Sequence, residues 1–308
     1  MISVRRVAIW SGLALVALML GGGVACLARP DYAGKVCRKL QHYYRKADVR
    51  LNLARQHTST HRLYPCIDKD GLDSSDFWIA HGGGVGEFHY TNCREAVLDS
   101  LDKRFTFIEL DLQETTDGHL VGAHTWRELK ALLGSEELSD APMSRAEIEA
   151  LKPYWRRTPL FADDVCRIMQ EHPEMVLVTD KVQNFKLLKQ QIPFADRMIV
   201  EAFSTHNCLQ AFRAGFTQVA LTAYSVYDLQ QTQKYNIPGV VLGAQLMVMD
   251  PFSVPVVRQL HDAGCCIMVH GAAFSDKPDF VHTHLGRNIS RIYTDTWSPG
   301  NLPPKPTE

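Results

Sequence analysis

Eight short apolar runs, six of them closed by a polar or small residue and most followed by a stretch with helical spacing, constrain the fold of this chain more than any other feature. They are FWIAH (77–81), FTFIELDL (105–112), MVLVTD (175–180), MIVEAF (198–203), QVALTA (218–223), GVVLGA (239–244), CIMVHG (266–271) and RIYTD (291–295). A strand with one wet face alternates apolar and polar residues. These runs are nearly continuous, so both faces are covered, as in a parallel sheet wrapped by helices such as CLQAFRAG and VPVVRQLHDAG. Most intervals between runs, 20 to 28 residues, hold one helix and two short loops. Eight such units predict an α/β fold, a (β/α)8 TIM barrel over 76–297, with a doubly wound open sheet as the competing architecture. At 308 residues and 45% hydrophobic content the chain can bury one large core. The interval from Asp111 to Met175 is longer; HLVGAH reads as part of a hairpin, and GSEELSDAPMSRAEIEALK as a loop or short helices over the barrel mouth.

Polar residues cluster at the ends of these runs: His81, Glu109, Asp111, Asp180, Glu201, His270 and Asp295. The C-terminal rim is where barrel enzymes assemble their chemistry. Glu109 and Asp111 stand two apart in a strand, so their carboxylates share a side. Alone, an E-x-D pair suits a solvated edge strand; inside IELDL it suggests two acids on a barrel axis, which repel unless a cation or a proton intervenes. Asp180 offers a third hard oxygen, a set suited to Mg²⁺ or Ca²⁺. His81 precedes Gly82-Gly83-Gly84, which lets backbone approach a ligand. His124 follows the turn Thr116-Asp117-Gly118, which folds its strand back along the acidic one.

Two imidazoles beside a carboxylate-bound cation are the equipment for cleaving a phosphodiester: one group takes a proton from the attacking hydroxyl and the other protonates the leaving alkoxide. No G-x-S-x-G elbow and no C-x-x-C pair occurs, which disfavours acyl transfer and zinc. Lys181 at a strand end suits a phosphate, and Glu201, Gln245, His270 and Trp297 are further candidates for substrate contact, each with a structural role as the alternative.

The termini have a different character. Arg5 and Arg6 precede an uncharged run from Val7 to Ala28, 22 residues, enough to span a bilayer core as a helix. The basic flank predicts a single-pass inner-membrane chain with its barrel on the exported, periplasmic side. A cleaved signal peptide is the alternative for 1–28, and a lipidated Cys26 a further one. Within 29–75, the stretch from Lys35 to Arg62 carries eight Lys or Arg against one acid, Asp48, and suits either anionic headgroups or plain solvent. In an exported protein Cys37 and Cys66 are the best candidates for a disulfide. The tail, 298–308, is rich in proline and reads as disordered. A formal charge of −1 excludes bulk-electrostatic wrapping of nucleic acid.

The ordered residues His81, Asn92, Glu95-Ala96, Glu109-x-Asp111, Thr116-Asp117-Gly118, Val121 and His124 resemble the glycerophosphodiester phosphodiesterase family, within the barrel enzymes similar to phosphatidylinositol-specific phospholipase C. Echoes follow at TPLFADDV (158–165), Asp180-Lys181 and Tyr293-Thr294-Asp295. The resemblance implies a barrel phosphodiester hydrolase, a divalent cation on Glu109, Asp111 and Asp180, and acid–base roles for His81 and His124. It also implies glycerophosphodiesters, or a related lipid-headgroup or envelope diester, as substrate; a lyase that stops at a cyclic phosphate and a non-catalytic binder of phosphorylated envelope components are the alternatives. The chain departs from the family pattern at Gly82, where arginine is common, at Thr125, where aspartate is common, and at His270, where an aromatic residue often stands. Thr179-Asp180-Lys181 replaces Glu-x-Lys, so either Asp180 is the third ligand or that ligand is lost.

Overall fold

The computed structural model describes residues 30–53, 72, 74–151, 157–271, 275–284 and 287–305. The run from Val7 to Ala28 and Cys66 lie outside the described residues, and with them the expected anchor and disulfide. Among the described residues no helix is long and apolar enough to cross a membrane. The chain divides into two compact units, Met1–Asn52 and Leu53–Glu308. In the first, helix α1 (Pro30–Asp48) carries Arg45 and Lys46 in its last turn, where cations complement the carbonyl end of the helix dipole. A wider-wound turn, Val49–Leu53, continues it.

The second unit is the barrel. Strands β1 (Trp78–Ala80), β2 (Phe107–Glu114), β4 (Val176–Asp180), β5 (Met198–Ala202), β6 (Val219–Ala223), β7 (Gly239–Gly243), β8 (Cys266–His270) and β9 (Arg291–Thr294) are parallel. The ring closes because β1 pairs with both β2 and β9, which rules out the open sheet. Seven of the eight apolar runs expected from the sequence contain their strand outright; the eighth, β2, runs two residues further, to Glu114. Those two residues matter: the top of β2 leaves the ring and pairs antiparallel with β3 (Leu120–Gly122), the expected hairpin.

Side chains on alternate strand positions fill the interior. Ile79, Phe107, Val176, Val178, Ile199, Ala220, Val241, Met268 and Tyr293 form one buried cluster. Since Phe107 faces inward, the two-residue repeat carries Glu109 and Asp111 up the same side, above that apolar plug. Helices α2 (Arg94–Asp102), α3 (Trp126–Leu132), α4 (Arg145–Ala150), α5 (Ala162–Glu171), α6 (Phe185–Gln191), α7 (Thr205–Arg213), α8 (Val226–Tyr235), α9 (Ala244–Met249), α10 (Ser253–Asp262) and α11 (Pro278–His284) follow the strands. Several begin on a side-chain cap: the Ser204 and Ser225 hydroxyls accept from the backbone N–H of Asn207 and Asp228 at 3.1 and 3.4 Å. The long interval after β2 builds a satellite cluster, where Trp126, Leu129 and Ile148 pack with Val121 and Phe161.

Of the tail, residues 298–305 are described. Ser298 and Asn301 pair through their backbones, and the Pro304 carbonyl accepts from His282 Nε2 at 3.2 Å. Gly300, at φ +86°, makes the tight turn between Ser298 and Asn301.

Candidate active site

At the C-terminal rim, His81, Tyr90, Glu109, Asp111, His124, Asp180, Lys181, Glu201, His270 and Tyr293 line one cavity of about 560 Å³, counted with the open solvent at its mouth. The structure thus brings together both predicted acid–base residues, all three predicted metal ligands and three of five predicted substrate contacts. Gln245 and Trp297 do not line it. Gln245 folds its exposed amide over Gly243, and the Trp297 indole donates to the Asp276 carbonyl at 2.8 Å, securing the loop after β9.

Glu109 and Asp111 are held in place by a backbone and an amide donor. Glu109 Oε2 accepts from the N–H of Gly82 at 2.8 Å, and Asp111 Oδ2 accepts from Asn92 Nδ2 at 2.9 Å. Register places Asp180 beside Asp111 across the β2–β4 pair. Ligand oxygens of Glu109, Asp111 and Asp180 all lie within 4.8 Å of one another. Two oxygens on one cation are separated by at most twice the bond length, about 4.6 to 5.2 Å on Ca²⁺ and about 4.0 to 4.2 Å on Mg²⁺, so the cluster as it stands fits Ca²⁺ and would have to draw in slightly around Mg²⁺.

Burial makes that arrangement costly without a counter-charge. Burial, and then repulsion from Asp111, push Glu109 well above the usual carboxylate range and Asp180 up to about 9. Burial also raises Glu201, to about 7, against the opposing effect of the hydrogen bond donated by Tyr293. Asp180 Oδ1 is buried and accepts no hydrogen bond, a lone pair left for a ligand. Lys181 answers part of the charge, with Nζ 3.3 Å from Asp180 Oδ2 and 3.6 Å from Asp111 Oδ1. Although burial opposes its charge, Asp180 and Asp111 raise its pKa, so it stays an ammonium. An all-oxygen, over-acidic, partly orphaned donor set is what a hard divalent cation requires.

The histidines flank this cluster with one geometry repeated twice. His81 Nδ1 donates to Asp295 Oδ1 at 3.0 Å, and His124 Nδ1 donates to Glu128 Oε2 at 2.8 Å. Each bond fixes a tautomer and leaves Nε2 for a ligand. The Tyr90 ring lies between them, its centroid 4.6 Å from His81 and 4.9 Å from His124. Burial, with Asp111 and Glu109 nearby, raises the Tyr90 phenol pKa and keeps it neutral. His270, beside Tyr293, is lowered to about 4, chiefly by burial, and is a neutral wall of the cavity at pH 7.

Four contributors were not assigned a role from sequence: Asp295, Glu128, Tyr90 and Tyr293. A signal existed for Glu128, four residues after His124 at a helix start, and for Asp295, which closes the last run. None existed for Tyr90. It reaches the site because Gly82, at φ +55°, lets the loop fold back until a Cβ there would stand 2.4 Å from Tyr90 Cα.

No family model matches this chain, and no curated protein does. Solved structures do. A glycerophosphodiester phosphodiesterase from Thermotoga maritima superposes with a TM-score of 0.58 at 17% identity, covering 71% of this chain and 94% of that one. A glycerophosphoryl diester phosphodiesterase from Parabacteroides distasonis gives 0.58 at 16%, covering 75% and 90%. A glycerophosphodiester phosphodiesterase from Agrobacterium tumefaciens gives 0.53 at 18%, covering 72% and 97%. This chain therefore shares the barrel fold of proteins bearing that name.

Proposed function

We propose that this chain is a divalent-cation-dependent phosphodiesterase hydrolysing glycerophosphodiesters or a related lipid-headgroup diester. The observation that carries the reading is the pairing of His81 and His124 on either side of Tyr90, each oriented by its own carboxylate, next to Glu109, Asp111 and Asp180. The family resemblance of those residues and the shared fold of the solved phosphodiesterases support it.

Glu109, Asp111 and Asp180 would hold the cation, which when bound offsets charge on the phosphoryl oxygens. Lys181 adds a fixed positive charge on the same side of the cavity. One imidazole takes the proton of the attacking hydroxyl at Nε2, while the other gives its Nε2 proton to the leaving alkoxide. Asp295 and Glu128 stabilise the imidazolium in turn as each ring carries the proton. Tyr90, neutral and wedged between the rings, keeps them apart so that a phosphate reaches both.

Replacing His81 or His124 by Ala should cut kcat on glycerophosphocholine by about 10²–10⁴-fold, with cation binding retained. Full activity in either variant would reject the reading. Phosphorus NMR of the product separates a monoester from a cyclic diester. The reading includes export: a single-pass inner-membrane chain with a periplasmic barrel, supported by Arg5 and Arg6 ahead of the uncharged run. Protease accessibility of the barrel in spheroplasts tests it.

A further inference from the structure

The barrel unit leaves six large apolar side chains exposed among its described residues: Leu138, Tyr224, Tyr227, Val248, Met249 and Phe252. Five of them, all but Leu138, belong to the two segments that leave β6 and β7. Ala223 pairs with Leu242, so these segments emerge side by side at the rim that carries the site. Scattered single exposures need no explanation, but a grouped set does.

The group is built to project. In α9, Ala244 and Met247 face the barrel, which turns Val248 and Met249 outward at 54% and 76% exposure. Asp250 then braces the next turn, its carboxylate accepting from the Phe252 N–H at 2.9 Å and its carbonyl from the Ser253 N–H at 3.1 Å. Phe252 stands 75% exposed on that braced turn. The patch is also nearly uncharged: from Tyr224 to Ser253 the sequence holds Asp228, Lys234 and Asp250 alone among charged residues. Asp228 is spent on capping α8, since it accepts from the Ser225 hydroxyl at 2.8 Å.

Tyr224 decides the occupant. It is 69% exposed and also lines the cavity, so the patch runs without a break into the mouth of the phosphodiester site. A second copy of this chain seated there would cover the mouth. A bilayer surface would instead present a phosphodiester to it, and tyrosine, phenylalanine and methionine suit the headgroup boundary.

We infer that Tyr224, Tyr227, Val248, Met249 and Phe252 form a membrane-docking surface through which the barrel takes its diester from a lipid bilayer. The substrate class, and the preference for a bilayer over a second copy, rest on the phosphodiesterase reading; the exposed apolar patch itself does not. Because the patch has almost no charge, the docking is apolar, indifferent to anionic lipid and to salt.

The test uses the full chain and its Phe252→Trp variant with phosphatidylcholine vesicles, with and without brominated acyl chains. Brominated lipid should quench the added tryptophan beyond the quenching of the parent, equally at low and high salt. No added quenching overturns the inference, as does quenching that vanishes with salt; a concentration-dependent dimer lost in Met249→Ser/Phe252→Ser assigns the patch to a second copy and overturns it too. That double variant should lose about tenfold in turnover of vesicle-borne diester and keep its turnover of soluble glycerophosphocholine. Quenching without turnover of any diester leaves the docking standing and removes the phosphodiesterase reading instead.

Discussion

Asn92 and Asp111 exchange two hydrogen bonds: the Asn92 amide donates to Asp111 Oδ2 and its carbonyl oxygen accepts from the Asp111 backbone N–H, both at 2.9 Å. This clamp sets the carboxylate's plane from behind, and Asn92 is itself buried at 2% exposure with φ +52°. A group that orients a metal ligand acts through the ligand's affinity. Asn92→Ala should therefore weaken binding of Mg²⁺ or Ca²⁺ by about 10–100-fold, read by calorimetric titration, and activity should return in part at saturating cation. Unchanged affinity would mean that Asp111 is not a ligand.

The two imidazole–carboxylate pairs are not equivalent. The Asp295 side chain is 24% exposed, whereas that of Glu128 is 54% exposed, so water screens the second pair more. Asp295 is also fixed by neighbours: its N–H donates to Asp276 Oδ2 at 3.1 Å and its carbonyl accepts from Gly86 at 2.9 Å. Asp295→Asn should lower kcat more than Glu128→Gln does. Steady-state kinetics with pH profiles of both variants checks this order; equal losses would assign the two carboxylates equal weight.

The architecture was legible because eight continuous apolar runs leave few folds open, and the acidic pair because its two-residue spacing is independent of tertiary detail. Side-chain direction past a strand end was not. Gln245 and Trp297 stand just beyond their strands and turn away from the cavity, each towards a backbone neighbour. Lys181 does the opposite: strand alternation would set it across from Asp180, yet its φ of +61° swings it back to both acids. A left-handed lysine has no sequence signature. Tyr90, at φ +57°, was hidden for the same reason.

Acid crowding predicts an unusual stability profile for the cation-free protein. Asp180, ordinarily near 3.8, rises to about 9 in the fold, so the folded state holds its proton more tightly than the unfolded one. The sign follows: this group's contribution to stability is fully present below pH 3.8 and is lost as pH rises towards about 9. Glu109 acts in the same direction. With EDTA, Tm should fall across neutral to alkaline pH; adding Mg²⁺ or Ca²⁺ should restore it, and Asp180→Asn should flatten the slope. Cation binding should release protons, seen as a buffer-dependent calorimetric enthalpy. A cation-free Tm that climbs through this window would contradict the crowded-carboxylate picture.

Gly82 couples the loop to the chemistry. Its N–H donates to Glu109 Oε2 at 2.8 Å and its carbonyl accepts from the Asn92 N–H at 2.7 Å, so one residue ties the first strand to one carboxylate of the acidic cluster and to the clamp on another. At φ +55° a methyl group would stand 2.4 Å from Tyr90 Cα, a contact with backbone that no rotamer relieves. An arginine, common at this position in the family the sequence resembles, would meet the same contact on this backbone. Gly82→Ala should cost about 1–3 kcal/mol in unfolding free energy through the strained conformation. Because the loop must move, Tyr90 should withdraw from His81 and His124, and kcat should fall further than the His270→Gln change, which alters only a neutral wall, lowers it. Urea unfolding together with kcat on glycerophosphocholine reads both effects; a Gly82→Ala protein of unchanged stability and turnover would show that the loop conformation is not needed to set the histidine pair.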